Sequence, residues 1–561
     1  MDQLTLQEEV AKALSILSRL ENRVSRIEER LAMREETAEA EPARIDDVPA
    51  TERSDREEEL EYQVGQNWFA KAGIVILAIG MALLLTFPLE GLPSYLPALT
   101  GYVLVAGLFV LSHLWRDSYP LLSKYLYGGG MALLYFATLR LFFFSPIPSL
   151  GAGSTEGVIL LLAVSCVIIT LALRRHSHYL LALAITTAML SALLTGSPWV
   201  VSVVIPLLAV FISYVRVRFS APGLFLYGLI ATFLTVLLWA MNNPLLGNPI
   251  RLVGQPAISV PVLLLSILAF GMGTLLRRDN LEEDYTVGME TGIIGILGYG
   301  VFLWLTGTAE HAFSIDAHFL ASGAFLGLAV AFWVRSKSTI ATFVFAMFGY
   351  LALSVAIVKK FESPDIFVWL SLQSVVVVAT AVWFRSRFIV LANFIIYLVI
   401  IAAYLVMTKE ESGIILVFGI VALLSARILN WQQHRLELKT GAMRNAYLGT
   451  AFMVFPYALY HLVPHQYVSL SWIGIALLYY LLNVVIKAQK YRWMGHLTLM
   501  LTVLYILIIG IIQLEPAYRL VSFLVLAIAL LTVSMVFTRL RARKRAVPQE
   551  PRVAHGPSGP P

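Results

Sequence analysis

Between residues 67 and 537 the chain runs through one apolar stretch of about twenty residues after another, separated by short polar turns. Twenty residues at about 1.5 Å each cross the roughly 30 Å hydrocarbon core of a bilayer. Only helices and closed barrels satisfy their own backbone there, and runs of this length are helical. The spacing predicts spans near 67–87, 95–115, 121–144, 156–173, 178–194, 198–215, 222–241, 257–276, 288–307, 315–334, 339–358, 365–384, 388–407, 412–430, 441–463, 466–487, 492–514 and 517–537. Of 561 residues, 58% are hydrophobic and 14% charged, more apolar side chain than a water-soluble fold of that size conceals. The expected fold is all-α, a polytopic transmembrane bundle of about eighteen spans with the lipid bilayer as its solvent.

Lys and Arg orient such a bundle, because they collect in cytoplasmic turns. Alternate connections carry 19 and 5 of them, which places both termini in the cytoplasm. The weak join is Lys359–Lys360, a basic pair on the side otherwise poor in bases. Tryptophan supplies an independent check, since it favours the water–lipid interface. Nine of 11 tryptophans fall within three residues of a predicted span end, and Trp369 and Trp472 lie deeper.

The flanks differ from the membrane region. Residues 1–32 carry an apolar seam at Leu6, Val10, Ala13, Leu17, Leu20, Val24, Ile27 and Leu31, spaced alternately by four and three as in a coiled coil. That pattern predicts a homo-oligomer; an amphipathic helix on a partner or on the membrane surface is the alternative. Residues 33–64 form an acidic linker with no core-forming pattern, and 539–561 begin with a basic stop and end in Pro, Gly and Ser. The net charge of +6 is not a nucleic-acid signature, because the bases lie in turns between apolar runs. Cys166 is the single cysteine, so neither a disulfide nor a cysteine-based metal site forms within the chain. No cleavable signal peptide is expected ahead of the first span.

Two motifs carry a resemblance. Asn67-Trp68-Phe69-Ala70-Lys71-Ala72-Gly73 opens the first span, and Leu126-Tyr127-Gly128-Gly129-Gly130-Met131-Ala132-Leu133-Leu134-Tyr135 lies in the third. With the N-terminal heptads, they resemble a bacterial family of polytopic membrane proteins of unknown function. The match covers roughly residues 65–144. It implies many membrane helices in the inner (plasma) membrane of a bacterium, and no catalytic residue. A second pattern is internal: Ala331-x-Trp333-x-Arg335-Ser336-Lys337 recurs as Ala381-x-Trp383-x-Arg385-Ser386-Arg387. A duplicated hairpin and convergent interface chemistry explain it equally well.

Ionisable residues within spans are expensive and so mark candidate sites. Lys71 is expected to snorkel. Arg140, beside Phe142–Phe144, either snorkels or pairs with Glu90 or Glu156. Glu290 lies in Gly288-x-Glu290-x-Gly292-x-x-Gly295-x-x-Gly298, and faces either Arg277 and Arg278 or a ligand beside the glycine stripe. The triple glycine at 128–130 lacks the lysine of a phosphate cradle and is expected to allow close packing or a helix break. Pro206 and Pro456 are expected to kink their helices. On the outer face Glu310, His311, His318, His461 and His465 are the acid, base or metal candidates, but no metal-ligand spacing joins them, and no metal or cofactor is predicted.

Three functions stay open on this reading. The first is a carrier for a lipid-linked or small polar molecule. The second is a membrane scaffold organised by the coiled coil. The third is an outer-face acyl or glycosyl transferase using a lipid carrier.

Overall fold

The computed structural model describes residues 95–143, 151, 153–251, 253, 255–277, 284–307, 310–408, 413–431, 441–486, 489–510 and 515–546, with Ile76, Ile79 and Gly80. The expected coiled coil and its apolar seam, the acidic linker and most of the first span lie outside the described residues. The described residues contain helices and connecting turns and no strand. Of these helices, 12 are long and apolar enough to cross a membrane, and three shorter ones are equally apolar. The protein is therefore an all-helical, multi-pass membrane protein.

In chain order the helices are α1 (Tyr95–Leu114), α2 (Pro120–Leu139), α3 (Thr155–Arg175), α4 (His178–Leu194), α5 (Pro198–Phe219), α6 (Pro222–Ala240) and α7 (Pro256–Leu275). Then come α8 (Asp284–Ile293), a π-helical turn (Ile294–Tyr299) and α9 (Gly300–Gly307), which together form one rod. α10 (His311–Arg335), α11 (Thr339–Lys360), α12 (Asp365–Trp383), α13 (Arg387–Met407) and α14 (Ile414–Trp431) follow. The last are α15 (Gly441–Leu462), α16 (Val468–Ile486), α17 (Gln489–Tyr505) and α18 (Pro516–Ala546). α18 outruns the expected end of its span, because Arg and Lys propagate a helix well and are favourable near its C-terminus.

Contacts divide the chain into two units, residues 1–140 with 144–146, and residues 141–143 with 147–561. In the first, α1 and α2 form an antiparallel hairpin. Its turn is closed by a reciprocal serine pair: Ser112 Oγ donates to the Ser123 carbonyl at 2.8 Å, and Ser123 Oγ to the Ser112 carbonyl at 2.6 Å. α2 runs unbroken through the triple glycine. A Cβ on Gly130 would sit 3.2 Å from the Phe109 ring, so this glycine serves close packing.

In the second unit most helices pack on sequence neighbours, α10 against α11, α14 against α15 and α16 against α17, while α5 also packs on α7 and α12 on α14. Serines start several helices by capping. Ser154, Ser338 and Ser386 accept from the backbone N–H groups of Gly157, Ala341 and Ile389. The internal repeat is not in structural register. The left-handed turn residues are Lys337 and Arg385, and the caps that follow are Ser338 and Ser386. Each pair is forty-eight residues apart, whereas the pattern recurs at fifty, so matching letters occupy different places in the two turns. Interface chemistry explains the pattern better than a copied hairpin. Deep Trp472 donates Nε1–H to the Pro456 carbonyl at 3.1 Å, which holds it inside the bundle.

Candidate functional site

Three consecutive helices, α11, α12 and α13, enclose a cavity of about 510 Å³. That is within the usual range for a small-molecule site, roughly 300–1,000 Å³. Its walls are apolar, and include Phe348, Leu351, Val358, Val377, Ile389 and Ile396. Leu351, Val358 and Ile396 are exposed on helix faces that meet lipid in a membrane, so the cavity opens sideways.

Besides Tyr350, four neutral polar side chains line the interior: Ser354, Gln373, Ser374 and Asn393. Gln373 Nε2 donates to the Tyr350 carbonyl and to Ser354 Oγ, both at 3.0 Å, which ties α12 to α11. Asn393 Nδ2 lies 2.8 Å from Ser374 Oγ and 3.0 Å from the Tyr447 hydroxyl, which ties α13 to α12 and α15. Tyr350 and Thr380 share a further hydrogen bond between their hydroxyls. A buried amide unmatched by protein or ligand is costly in lipid, so these partners fix the amides in place. No described lining residue is charged or a cysteine. Such a site hydrogen-bonds and orients a guest, but it holds no acid or base to break a bond in it.

Two polar clusters flank the rod formed by α8, the π turn and α9. Toward one end Glu290 Oε1 accepts from Arg216 Nε at 3.2 Å, and both side chains are only 2% exposed. The sequence offered Arg277 and Arg278, or a ligand, as its partner. Instead Arg277 Nη1 reaches Thr286 Oγ1 at 3.4 Å, and Arg278 lies outside the described residues. The cause is the helical phase of α8, which turns Glu290 inward with Val287 and Thr291 toward the interior of the bundle. Beyond Glu290, Gly295 opens the π turn to Phe348; a Cβ there would lie 2.1 Å from its ring. π turns inside helices are frequent at functional sites.

Toward the other end, His318 is buried and not on an outer surface as expected. α10 begins at His311, ahead of the predicted span, and its inward stripe of Ser314, Ala317, His318 and Ala321 carries the imidazole into the bundle. Tyr299 Oη lies 3.3 Å from Nδ1 and Thr306 Oγ1 lies 3.1 Å from Nε2. Lys359 Nζ completes the cluster, donating to the Thr306 carbonyl at 3.2 Å and to Ser314 Oγ at 2.5 Å. Lys359 therefore has a local reason to sit at this end of α11, since it satisfies a helix-end carbonyl.

The remaining predicted residues do not converge. Arg140 is buried at the C-cap of α2, in the first unit. Glu310 and His311 are exposed at the start of α10. His461 and His465 both lie against the Tyr460 ring, at 5.2 and 5.8 Å between centroids. Among the described residues no three His, Cys, Asp or Glu side chains gather to hold a metal. The cavity amides were missed as site residues, and their only signal was polar side chains in otherwise apolar spans. No protein-family model, curated protein or solved structure matches the chain.

Proposed function

We propose that the protein carries an amphipathic, lipid-linked molecule whose apolar portion enters the cavity between α11, α12 and α13 and whose uncharged polar portion meets Gln373 and Asn393. The cavity is the observation that carries this reading: apolar walls, neutral amides and an opening toward lipid. The absence of charge from its described lining favours such a guest over a metal ion or a small ion. The same lining disfavours a transferase working there. In this reading the chain has eighteen spans, both termini in the cytoplasm of a bacterial cell, and a homo-oligomer assembled by residues 1–32. The expected family of polytopic membrane proteins is consistent with it.

The test is retention and movement of lipid. The full chain, purified in mild detergent, is extracted and its bound lipids identified by mass spectrometry. The wild type is expected to retain one class of amphipath that Val377→Trp, which fills the cavity, releases. In proteoliposomes the same substitution is expected to abolish transfer of that class between leaflets. Retention unchanged by Val377→Trp in a folded protein would sink the proposal. A scaffold, in contrast, would tolerate that substitution and fail on deletion of residues 1–32.

A further inference from the structure

We propose that a second cavity, of about 470 Å³ where α14, α15 and α17 meet, binds a phosphate-bearing anion at the membrane edge. Arg444, Lys490, Asn430 and Gln489 line it, with Tyr491 and Trp493. These residues come from the end of α14 and the first turns of α15 and α17, so one end of each helix reaches the same level. Trp493 is 62% exposed there, the position of an interfacial anchor.

Charge gives the cavity its chemistry. Arg444 Nη1 donates to Asn430 Oδ1 and Lys490 Nζ to Asn445 Oδ1, so neutral amides orient both cations. Arg427 and Arg444 both lie within electrostatic range of the Tyr491 side chain. No described lining residue is acidic. The wider sequence agrees: residues 412–514 hold seven Lys and Arg and one acidic residue, Glu437. Arg444 and Lys490 also sit in first turns, where the helix dipole disfavours a cation. An anion relieves that repulsion, and phosphate matches both the planar guanidinium and the lysine point charge. Basic pockets between membrane helices hold anionic lipid headgroups on this principle.

The ligand's phosphate belongs either to a phospholipid or to a soluble phosphate ester, and binding experiments separate the two. The full chain in neutral detergent is titrated calorimetrically with dioctanoyl phosphatidylglycerol, dioctanoyl phosphatidylcholine and glycerol 3-phosphate. Saturable binding of phosphatidylglycerol over phosphatidylcholine is expected. Arg444→Gln with Lys490→Gln should weaken it on the order of tenfold or more, and Arg444→Lys with Lys490→Arg should restore most of it. Asn430→Asp, nearly isosteric, should weaken it as well by neutralising Arg444. Glycerol 3-phosphate binding as tightly as the lipid assigns a soluble ligand; a much weaker response assigns the lipid. Absence of saturable binding to the wild type by either phosphate compound overturns the proposal, as does wild-type affinity in folded Asn430→Asp.

Discussion

Arg216 of α5 and Glu290 of α8 meet at 3.2 Å inside the bundle, seventy-four residues apart in sequence. Glu290 Oε2 has no hydrogen-bond partner among the described residues, so the carboxylate depends on one short contact through its other oxygen. Away from water, an ion pair gains little over an apolar pair, but half of one is costly.

That asymmetry predicts the order of the wild type and two variants. Glu290→Gln leaves the Arg216 cation without its carboxylate and should destabilise the protein by about 3–5 kcal/mol. Arg216→Met with Glu290→Leu removes both charges and should recover most of that loss. Thermal unfolding in detergent reads the order. A double variant less stable than Glu290→Gln would show that the pair itself supplies the stability.

The buried cluster at the other end of the rod makes a different prediction. His318 contacts two hydroxyls, and Lys359 supplies hydrogen bonds to the Thr306 carbonyl and Ser314. Lys359→Met should therefore cost about 1–3 kcal/mol, as a loss of partly buried hydrogen bonds. Lys360→Met should cost less than about 0.5 kcal/mol, as a surface change. Chemical unfolding monitored by tryptophan fluorescence compares them. Equal losses would mean that the pair acts only as surface charge.

Helices and most of their ends could be read from the chain because lipid leaves few alternatives. An apolar run of span length must become a helix, and Ser, Pro and basic turns punctuate it. Partners across the bundle could not be read this way. Glu290 lies thirteen residues from Arg277 and much farther from Arg216, yet helical phase and packing join it to Arg216. His318 reads as an outer-face residue when its span begins at 315, only three residues before it, but the helix begins at His311 and carries it a full turn deeper. Ser354, Gln373, Ser374 and Asn393 are neutral, so no charge marks them within their spans. Their significance arises from three helices leaving a gap at the same depth, which is a property of packing and not of any one span.

The π turn yields a prediction on packing alone. A methyl on Gly295 would meet the Phe348 ring at 2.1 Å, far inside ordinary contact. Gly295→Ala should destabilise by about 1–3 kcal/mol through overpacking. Phe348→Leu in the same chain should restore part of the loss, since a smaller side chain yields the space. Gly292→Ala is the control, because nothing lies within 4 Å of its added carbon. Equal effects of Gly295→Ala and Gly292→Ala on the unfolding temperature would contradict this account.

Membrane sidedness is tested at the join where the basic pair interrupts the charge alternation. Lys359 is engaged with Thr306 and Ser314, and Lys360 lies over the Phe319 and Phe361 rings at 5.7 and 5.8 Å, so both have local reasons to sit there. With Cys166 replaced by serine, and in the proposed bacterial orientation, a cysteine at exposed Glu362 should react with an impermeant maleimide in cells whose outer membrane alone is permeabilised. A cysteine at exposed Ser336 or Lys337, one helix earlier, should react only after the inner membrane is opened. The two turns flank α11, so a single crossing forces opposite labelling whatever the absolute orientation. Matching patterns would mean that α11 does not cross, and the side of every later turn would then invert relative to the earlier ones.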